Sequence, residues 1–130
     1  MIFADTSAWV EFVRDTGSPA CNLLDKALDG DIAICDAVRL EVLAGARSDR
    51  HFRDLHRLLA RAAVVPTIPD DYDTAALIYR SCRRGGETPR SLIDCLIAAV
   101  AIRAGIALLH ADRDFDVIAR HCRLETVAGL

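Results

Sequence analysis

The chain has 130 residues, and 52% of them are hydrophobic, which is enough apolar material for one packed core. A net charge of −3 argues against a protein that coats nucleic acid by bulk electrostatic attraction. The longest apolar run, Cys95–Ile102, is far shorter than the roughly 20 residues of a membrane-spanning helix, and the N-terminus shows no secretory signal. We therefore expect residues 1–130 to form a single domain in the cytoplasm, without membrane contact.

The five cysteines are scattered along the chain and are odd in number. None lies in a C-x-x-C motif or at a Cys/His spacing that is typical of zinc sites. The sequence thus supports neither a disulfide framework nor a zinc centre, and we expect most cysteines to be small core residues.

The first half of the chain alternates short apolar runs, which are typical of buried strands, with the three- and four-residue apolar spacing of amphipathic helices. In chain order, it predicts a strand at Ile2–Ala4, a helix capped by Ser7, a helix from Pro19 to Gly30, a strand at Ile32–Cys35, a helix over about 37–46, a helix from Ser48 or Asp49 to about Ala63, and a short strand at Val64–Pro66.

The second half of the chain continues this alternation, so the sequence indicates an α/β fold with a mainly parallel central sheet covered on both faces. It predicts a helix from Pro69 to about Arg84, a long apolar helix from Thr88-Pro89 to Ala104, a strand at Ala107–Leu109, a short helix near Phe115–Ala119, and a possible strand at Arg123–Val127.

Three acidic residues lie in apolar surroundings, where an ionised carboxylate is costly unless another group compensates its charge. Asp5 ends the first strand, and the carboxyl ends of parallel strands are where α/β sheets bind ligands. Glu41 lies in a helix that is otherwise almost entirely apolar, apart from Arg39. Asp94 lies in the most apolar helix, where no cationic residue of the next turn can neutralise it.

Asp112 and Asp114 follow the Ala107–Leu109 strand, so their carboxylates also come after the carboxyl end of a strand. Clustered carboxylates repel one another, and a divalent cation removes that conflict. Oxygen ligands without cysteine or histidine favour Mg²⁺ or Mn²⁺ over zinc. Such ions activate water and offset charge on a phosphate, so the cluster points to phosphodiester hydrolysis.

Each acid also has a simpler structural interpretation. Asp5 can cap the first helix, Glu41 can pair with Arg39 or with a distant arginine, and Asp112 can be a turn or N-cap residue. We interpret Asp116 as a residue of a first helical turn rather than as a metal ligand.

Basic residues precede the Asp94 helix and can hold either RNA phosphates or an acidic protein segment, or simply face solvent. They are Arg80, Arg83, Arg84 and Arg90. Arg113 lies between two candidate ligands and can act similarly. His110 is a candidate acid or base, but a single histidine at a strand end is more often structural.

Four segments of the chain, in order and at the usual spacing, resemble the PIN-domain ribonucleases, and in particular the VapC toxins of bacterial toxin–antitoxin pairs. They are Met1–Val10, Glu41–Ala46, Ile93–Ala99 and Ala111–Phe115. Each motif alone is weak, whereas four together are specific. Cys95 departs from the family, where many relatives carry alanine, but the similar size leaves the site unaffected.

The resemblance implies a PIN-like α/β/α sandwich and a Mg²⁺-dependent endoribonuclease, with Mn²⁺ as a substitute ion. It implies catalytic roles for Asp5, Glu41, Asp94 and Asp112, and metal ligation by Asp5, Asp94, Asp112 and Asp114. Thr6 and Ser7 match the family's hydroxyl pair, which orients Asp5 or water or simply caps the helix. The implied partners are an RNA such as tRNA, a VapB-type antitoxin whose tail enters the site, and a second copy in a homodimer or larger assembly.

Three rival functions have different sequence requirements. Aspartyl-phosphate hydrolases and receiver domains need a second acid near Asp5 and a lysine after a later strand, whereas Thr6-Ser7 follows Asp5 and Lys26 is misplaced. A catalytically silent PIN-like module that binds RNA or protein is expected to lose core acids, and this chain keeps them. A structure-specific DNA nuclease remains an alternative, because the same metal site cuts either polymer.

Overall fold

The structure is a computed structural model that describes residues 1–128, so residues 129 and 130 of the predicted domain lie outside the described part. Five strands are present: β1 (Ile2–Ala4), β2 (Ile32–Cys35), β3 (Ala63–Val65), β4 (Leu108–His110) and β5 (Thr126–Ala128). Seven helices connect them: α1 (Thr6–Val13), α2 (Pro19–Ala27), α3 (Asp36–Ala44), α4 (Asp49–Leu59), α5 (Pro69–Arg84), α6 (Leu92–Ala104) and α7 (Arg113–Ala119).

The strands form one sheet in the order β3-β2-β1-β4-β5, and every neighbouring pair is parallel. The predicted α/β fold with a mainly parallel sheet is therefore confirmed. The chain runs from β1 outward to β3, then returns to the other side of β1 to form β4. This reversal lies between β1 and β4, and such a switch point is where open parallel sheets bind ligands at the strands' carboxyl ends.

The core lies between the sheet and the helices packed on its two faces. Its largest fully buried side chains include Trp9, Phe3 and Phe115. Four of the five cysteines are buried, as expected for core residues, and Cys122 is partly buried. Within residues 1–128, no helix combines the length and hydropathy that spanning a bilayer requires.

Two helix starts differ from the sequence prediction for reasons that concern the site. Asp5 rather than Ser7 is the N-cap of α1, because its carboxylate accepts a hydrogen bond from the backbone N–H of Ser7. Helix α6 begins at Leu92 rather than at Thr88-Pro89, because Ser91 is its N-cap and the backbone N–H of Arg90 donates to a side chain of α7.

The other boundaries shift by a few residues. Helix α4 ends at Leu59 rather than near Ala63, because Ala63 is already paired with Ala33 in the sheet. The last strand is Thr126–Ala128 rather than Arg123–Val127. Smaller shifts occur at the ends of α2, α3, α7 and β4.

Candidate metal centre

Asp5 lies at the carboxyl end of β1 and is only 3% exposed. Its Oδ2 accepts hydrogen bonds from the Ser7 backbone N–H (2.9 Å) and from the Ser7 hydroxyl (2.6 Å), whereas Oδ1 is buried without a hydrogen-bond partner in the described residues. Burial raises the pKa of Asp5 to about 6, although the hydrogen bonds from Ser7 act in the opposite direction. Hydrogen bonds at the start of α1 thus fix Oδ2, whereas no hydrogen bond in the described residues offsets the burial of Oδ1.

The hydroxyls of Thr6 and Ser7 connect three elements at this edge of the sheet. The Ser7 Oγ accepts a hydrogen bond from the Ala111 backbone N–H (2.9 Å), which ties the start of α1 to the segment after β4. The Thr6 hydroxyl donates to Glu41 Oε1 (2.7 Å) and thereby orients the acid of α3. Arg39, the pairing partner considered for Glu41, instead lies 2.8 Å from His56.

Asp94 lies in the first turn of α6 and is 9% exposed. Burial raises its pKa to about 7, with a further contribution from the negative charges of Asp5, Asp112, Glu41 and Asp114. These acids come from four separate segments, and the structure brings the other four predicted carboxylates into electrostatic range of Asp94.

Asp112 and Asp114 are held by α7 and by Arg90. Asp112 is the N-cap of α7, since its Oδ1 accepts from the backbone N–H of Asp114 (2.9 Å), so the N-cap interpretation also holds. Arg90 donates to Asp114 Oδ2 through its backbone N–H and its Nε, both at 3.1 Å, and to Asp112 Oδ1 through Nη2 at 3.1 Å. Its guanidinium partly neutralises these two acids from the solvent side, where the Arg90 side chain is 75% exposed.

The residues present fit a divalent cation. Asp94, Asp112 and Asp114 each offer an oxygen, and the three oxygens lie within 4.8 Å of one another. The unpartnered, buried Oδ1 of Asp5 is a second, independent indication, because an orphaned carboxylate oxygen is costly without a cation. Oxygen ligands alone match the preference of Mg²⁺ and Mn²⁺.

Several other predicted residues do not join the cluster. Arg113 is exposed, and its guanidinium has no ion pair within the described residues. Arg84 contacts Ser81, and Arg83 lies over the Tyr79 ring, so of the predicted basic patch only Arg90 reaches the acids. Arg80 is exposed on α5.

His110 and Asp116 lie beside the cluster. His110 is fully buried at the end of β4, and burial lowers its pKa. Asp116 is part of the first turn of α7, as interpreted, and its Oδ1 is 3.6 Å from His110 Nε2.

A cavity of about 430 Å³ adjoins the site and was missed by the sequence reasoning. Glu41 lines it together with Trp9 and the basic residues Arg14, Arg47 and His51. These residues come from α1 and the residue after it, from α3 and the segment after it, and from α4, so no local motif indicates that they line one cavity.

Comparisons with known proteins agree on one family. The sequence profile of the PIN domain matches residues 2–121. The chain is 45% identical to VapC ribonuclease Mb1587 of Mycobacterium bovis and to ribonuclease VapC11 of Mycobacterium tuberculosis, in each case over 98% of both chains. It is 32% identical to ribonuclease VapC18 of M. tuberculosis, over 92% of this chain and 88% of the relative.

Solved structures share the fold at low sequence identity. VapBC2 from Rickettsia felis, bound to a promoter DNA fragment, superposes with a TM-score of 0.79 at 19% identity, covering 98% of both chains. VapBC-5 from M. tuberculosis, a member of the VapBC family of toxin–antitoxin systems, gives 0.68 at 20% identity, covering 97% of this chain and 96% of that one. The acidic motifs, the parallel sheet and these relatives agree, and the chain belongs to the PIN-domain family and, within it, to the VapC ribonucleases.

Proposed function

We propose that this chain is a Mg²⁺-dependent endoribonuclease, the toxin of a toxin–antitoxin pair, which hydrolyses phosphodiester bonds of an RNA such as tRNA and thereby inhibits translation and growth. Two observations carry the proposal: Asp94, Asp112 and Asp114 offer oxygens that lie within 4.8 Å of one another, and Asp5 has a buried, unpartnered oxygen at the same edge of the sheet. The 45% identity to ribonucleases named VapC supports the same conclusion. The proposed place of action is the cytoplasm.

Asp5, Asp94, Asp112 and Asp114 would hold the cation, with Mn²⁺ as a substitute. A bound divalent cation supplies Lewis acidity that offsets negative charge developing on a phosphate. Ser7 fixes Asp5 through two hydrogen bonds, and Thr6 fixes Glu41 through one. We assign Glu41 to orienting or deprotonating water, because it lies beside the cluster without an arginine partner in the described residues.

Arg113 and Arg90 are the proposed phosphate contacts. Arg113 is exposed at the first position of α7, directly between Asp112 and Asp114, and its guanidinium is available to a phosphate. Arg90 already contacts both acids, and its 75% exposure leaves its outer face open to an approaching strand. RNA phosphates would then lie along the rim of the acidic site.

The first test is RNA cleavage by an isosteric variant. We expect Asp94→Asn to lower the rate of Mg²⁺-dependent cleavage more than about 100-fold. Loss of a residue that only orients a metal ligand costs about 10- to 100-fold, and loss of the ligand itself should cost more. Asp73→Asn, an exposed change on α5, is the matched control and should cleave normally. Undiminished cleavage by folded Asp94→Asn contradicts the proposal.

Two alternatives predict other outcomes of related assays. A catalytically silent PIN-like module should bind little Mn²⁺ through its carboxylates and cleave nothing. A structure-specific DNA nuclease should prefer branched DNA when both polymers are supplied in parallel. The proposal predicts cleavage of RNA in preference to branched DNA.

A VapB-type antitoxin is the proposed protein partner, as the VapBC structures support. We place its tail in the cavity beside Glu41, where apolar walls meet the cationic side chains of Arg14 and Arg47. Expression of the chain alone should slow bacterial growth, and an adjacent small open reading frame should relieve the effect. Arg47→Glu should weaken that relief, and an isolated gene without a growth effect counts against the toxin role.

A second copy of the chain is the proposed occupant of an apolar surface on α5 and α6, which gives a homodimer. Tyr72 and Leu92 are 61% and 63% exposed there, beside a hollow of about 260 Å³. Leu92→Glu should yield monomers in light scattering. Leu40→Glu, also 63% exposed but on α3, should leave the dimer intact. A monomeric parent protein contradicts this assignment.

A further inference from the structure

His110 is a fully buried histidine that the proposed chemistry does not use. It is the last residue of β4, two positions before Asp112, and none of its surface is exposed. Its ring packs against Phe115 of α7, with 5.4 Å between the ring centroids. A polar ring in this position needs a reason, because an apolar residue would fill the same space without a polar atom to satisfy.

The hydrogen bonding of His110 defines its state. Its Nδ1 lies 3.2 Å from the backbone nitrogen of Asp112 and accepts that N–H. A ring nitrogen that accepts a hydrogen bond carries no proton, so the neutral ring holds its proton on Nε2. The Nε2 atom is buried, has no hydrogen-bond partner in the described residues, and lies 3.6 Å from Asp116 Oδ1.

Neither ring nitrogen is placed to exchange a proton with a substrate. One nitrogen is occupied by the Asp112 amide, and the other lies inside the protein on the side of Asp116. This geometry favours a structural role for His110 over a general acid or base role. Within the described residues, the contact with the Asp112 amide is the hydrogen bond of His110 that an apolar residue cannot reproduce.

We propose that His110 is a positioning residue, which fixes the backbone at Asp112 and thereby directs the Asp112 carboxylate toward the cation. Within residues 1–128, the Asp112 amide donates to no group other than His110, while Asp112 Oδ1 accepts from the Asp114 amide and from Arg90. Holding the amide determines where the second carboxylate oxygen points. The inference rests on the proposed metal site and adds a residue that does not touch the metal.

The test uses three substitutions that separate the two ring nitrogens. His110→Asn places an amide oxygen near the position of Nδ1, His110→Gln places its terminal amide near Nε2, and His110→Leu supplies neither. Mn²⁺ affinity of the full-length protein is measured by calorimetry, with thermal unfolding as the folding control. We expect His110→Leu to weaken Mn²⁺ binding about 10- to 100-fold, and His110→Asn, but not His110→Gln, to restore most of it.

The Mn²⁺ measurements test the metal site and the role of His110 separately. If the parent protein binds no Mn²⁺, the proposed metal site itself is wrong. If the parent protein binds Mn²⁺ and folded His110→Leu binds it equally well, His110 is only a core residue and the inference is overturned. Rescue by His110→Gln alone also overturns it, since that result assigns the role to Nε2.

A spectroscopic measurement covers the case in which His110→Leu does not fold. Long-range ¹H–¹⁵N correlation spectra of the parent protein distinguish the histidine tautomers. The proposal requires the neutral tautomer with the proton on Nε2 at His110. A proton on Nδ1 is incompatible with acceptance of the Asp112 amide and contradicts the proposal.

Discussion

Asp71 and Asp94 occupy the same position in neighbouring helices and yet have opposite electrostatics. Each is the third residue of its helix, α5 or α6, and each is almost fully buried. Arg103 donates to both oxygens of Asp71, at 2.8 and 2.9 Å, and holds its pKa below the ordinary value. Asp94 has no such partner in the described residues, and burial with four neighbouring carboxylates raises its pKa to about 7.

The comparison separates the causes of the two shifts. Helix position is alike, and burial raises the pKa of both groups, but at Asp71 the hydrogen bonds from Arg103 outweigh it. The arginine near the end of α6 pairs with Asp71 rather than with Asp94. Asp71 is therefore a structural carboxylate, whereas Asp94 either takes up a proton or needs an added cation to balance its charge.

Removal of the paired charge should have the largest effect on stability. Asp71→Asn keeps an oxygen that can accept the Ile68 amide but loses the ionic hydrogen bonds to Arg103. We expect the free energy of unfolding to fall by about 2 kcal/mol, with Mn²⁺ affinity unchanged. Urea unfolding measures the loss, and an unchanged free energy would show that the pair contributes nothing.

Removal of the unpaired charge of Asp94 should instead increase the stability of the metal-free protein. At a pH above 7, Asp94 is ionised in the metal-free protein, so Asp94→Asn relieves repulsion from the other acids. We expect a stability gain of about 1 kcal/mol, as at sites where function requires destabilising groups. The same urea experiment, done with chelator present, checks the sign. A net loss in folded Asp94→Asn contradicts the account of Asp94.

The two kinds of carboxylate should also respond oppositely to pH. Folding lowers the pKa of Asp71. Its contribution to the free energy of unfolding is therefore present above the ordinary value of 3.8 and is lost as pH falls. The pKa values of Asp5 and Asp94 are raised to about 6 and about 7, so their contribution is present below 3.8 and is lost as pH rises through those values.

The raised pKa values of Asp5 and Asp94 predict that the metal-free protein loses stability between about pH 4 and pH 7. Saturating Mg²⁺ should reverse that loss. Thermal unfolding across this range, with and without Mg²⁺, measures both curves. Parallel curves would mean that Asp5 and Asp94 do not bind the ion.

An exposed ion pair should give the smallest effect. Glu87 accepts hydrogen bonds from Arg120 and from His121 Nε2 (3.0 Å), which lower its pKa to about 2. Because solvent screens this pair, Glu87→Gln should cost less stability than Asp71→Asn and should be sensitive to salt. Thermal unfolding at low and high salt compares them. An equal loss for both variants would remove the distinction between buried and exposed pairs.

Asp5, Glu41 and Asp94 could be singled out from sequence because each lies in a distinctive local pattern, whereas Asp112 and Asp114 depend more on the family resemblance. Asp5 follows an apolar strand, and Asp94 interrupts an apolar helix, so each stands out without knowledge of the fold. Asp71 shows the limit of this reasoning. It lies beside Asp70 after a proline and looks like an ordinary helix start, since its partner Arg103 is 32 residues away in the chain.

Contacts between distant segments explain the remaining differences. The predicted start of α6 at Thr88-Pro89 was wrong because the Arg90 amide contacts Asp114, which no local propensity encodes. The cavity beside Glu41 and the link from Ser7 to Ala111 arise in the same way. Local patterns thus located the acids, while the groups that hold and surround them required the fold.

Metal-dependent stabilisation tests most directly the proposed divalent cation site of Asp5, Asp94, Asp112 and Asp114. Mn²⁺ at about 100 times its dissociation constant should stabilise the parent protein by about 2.7 kcal/mol. Asp73→Asn should respond equally, and Asp94→Asn should respond little. Stabilisation of Asp94→Asn by as much as the parent protein would contradict the claim.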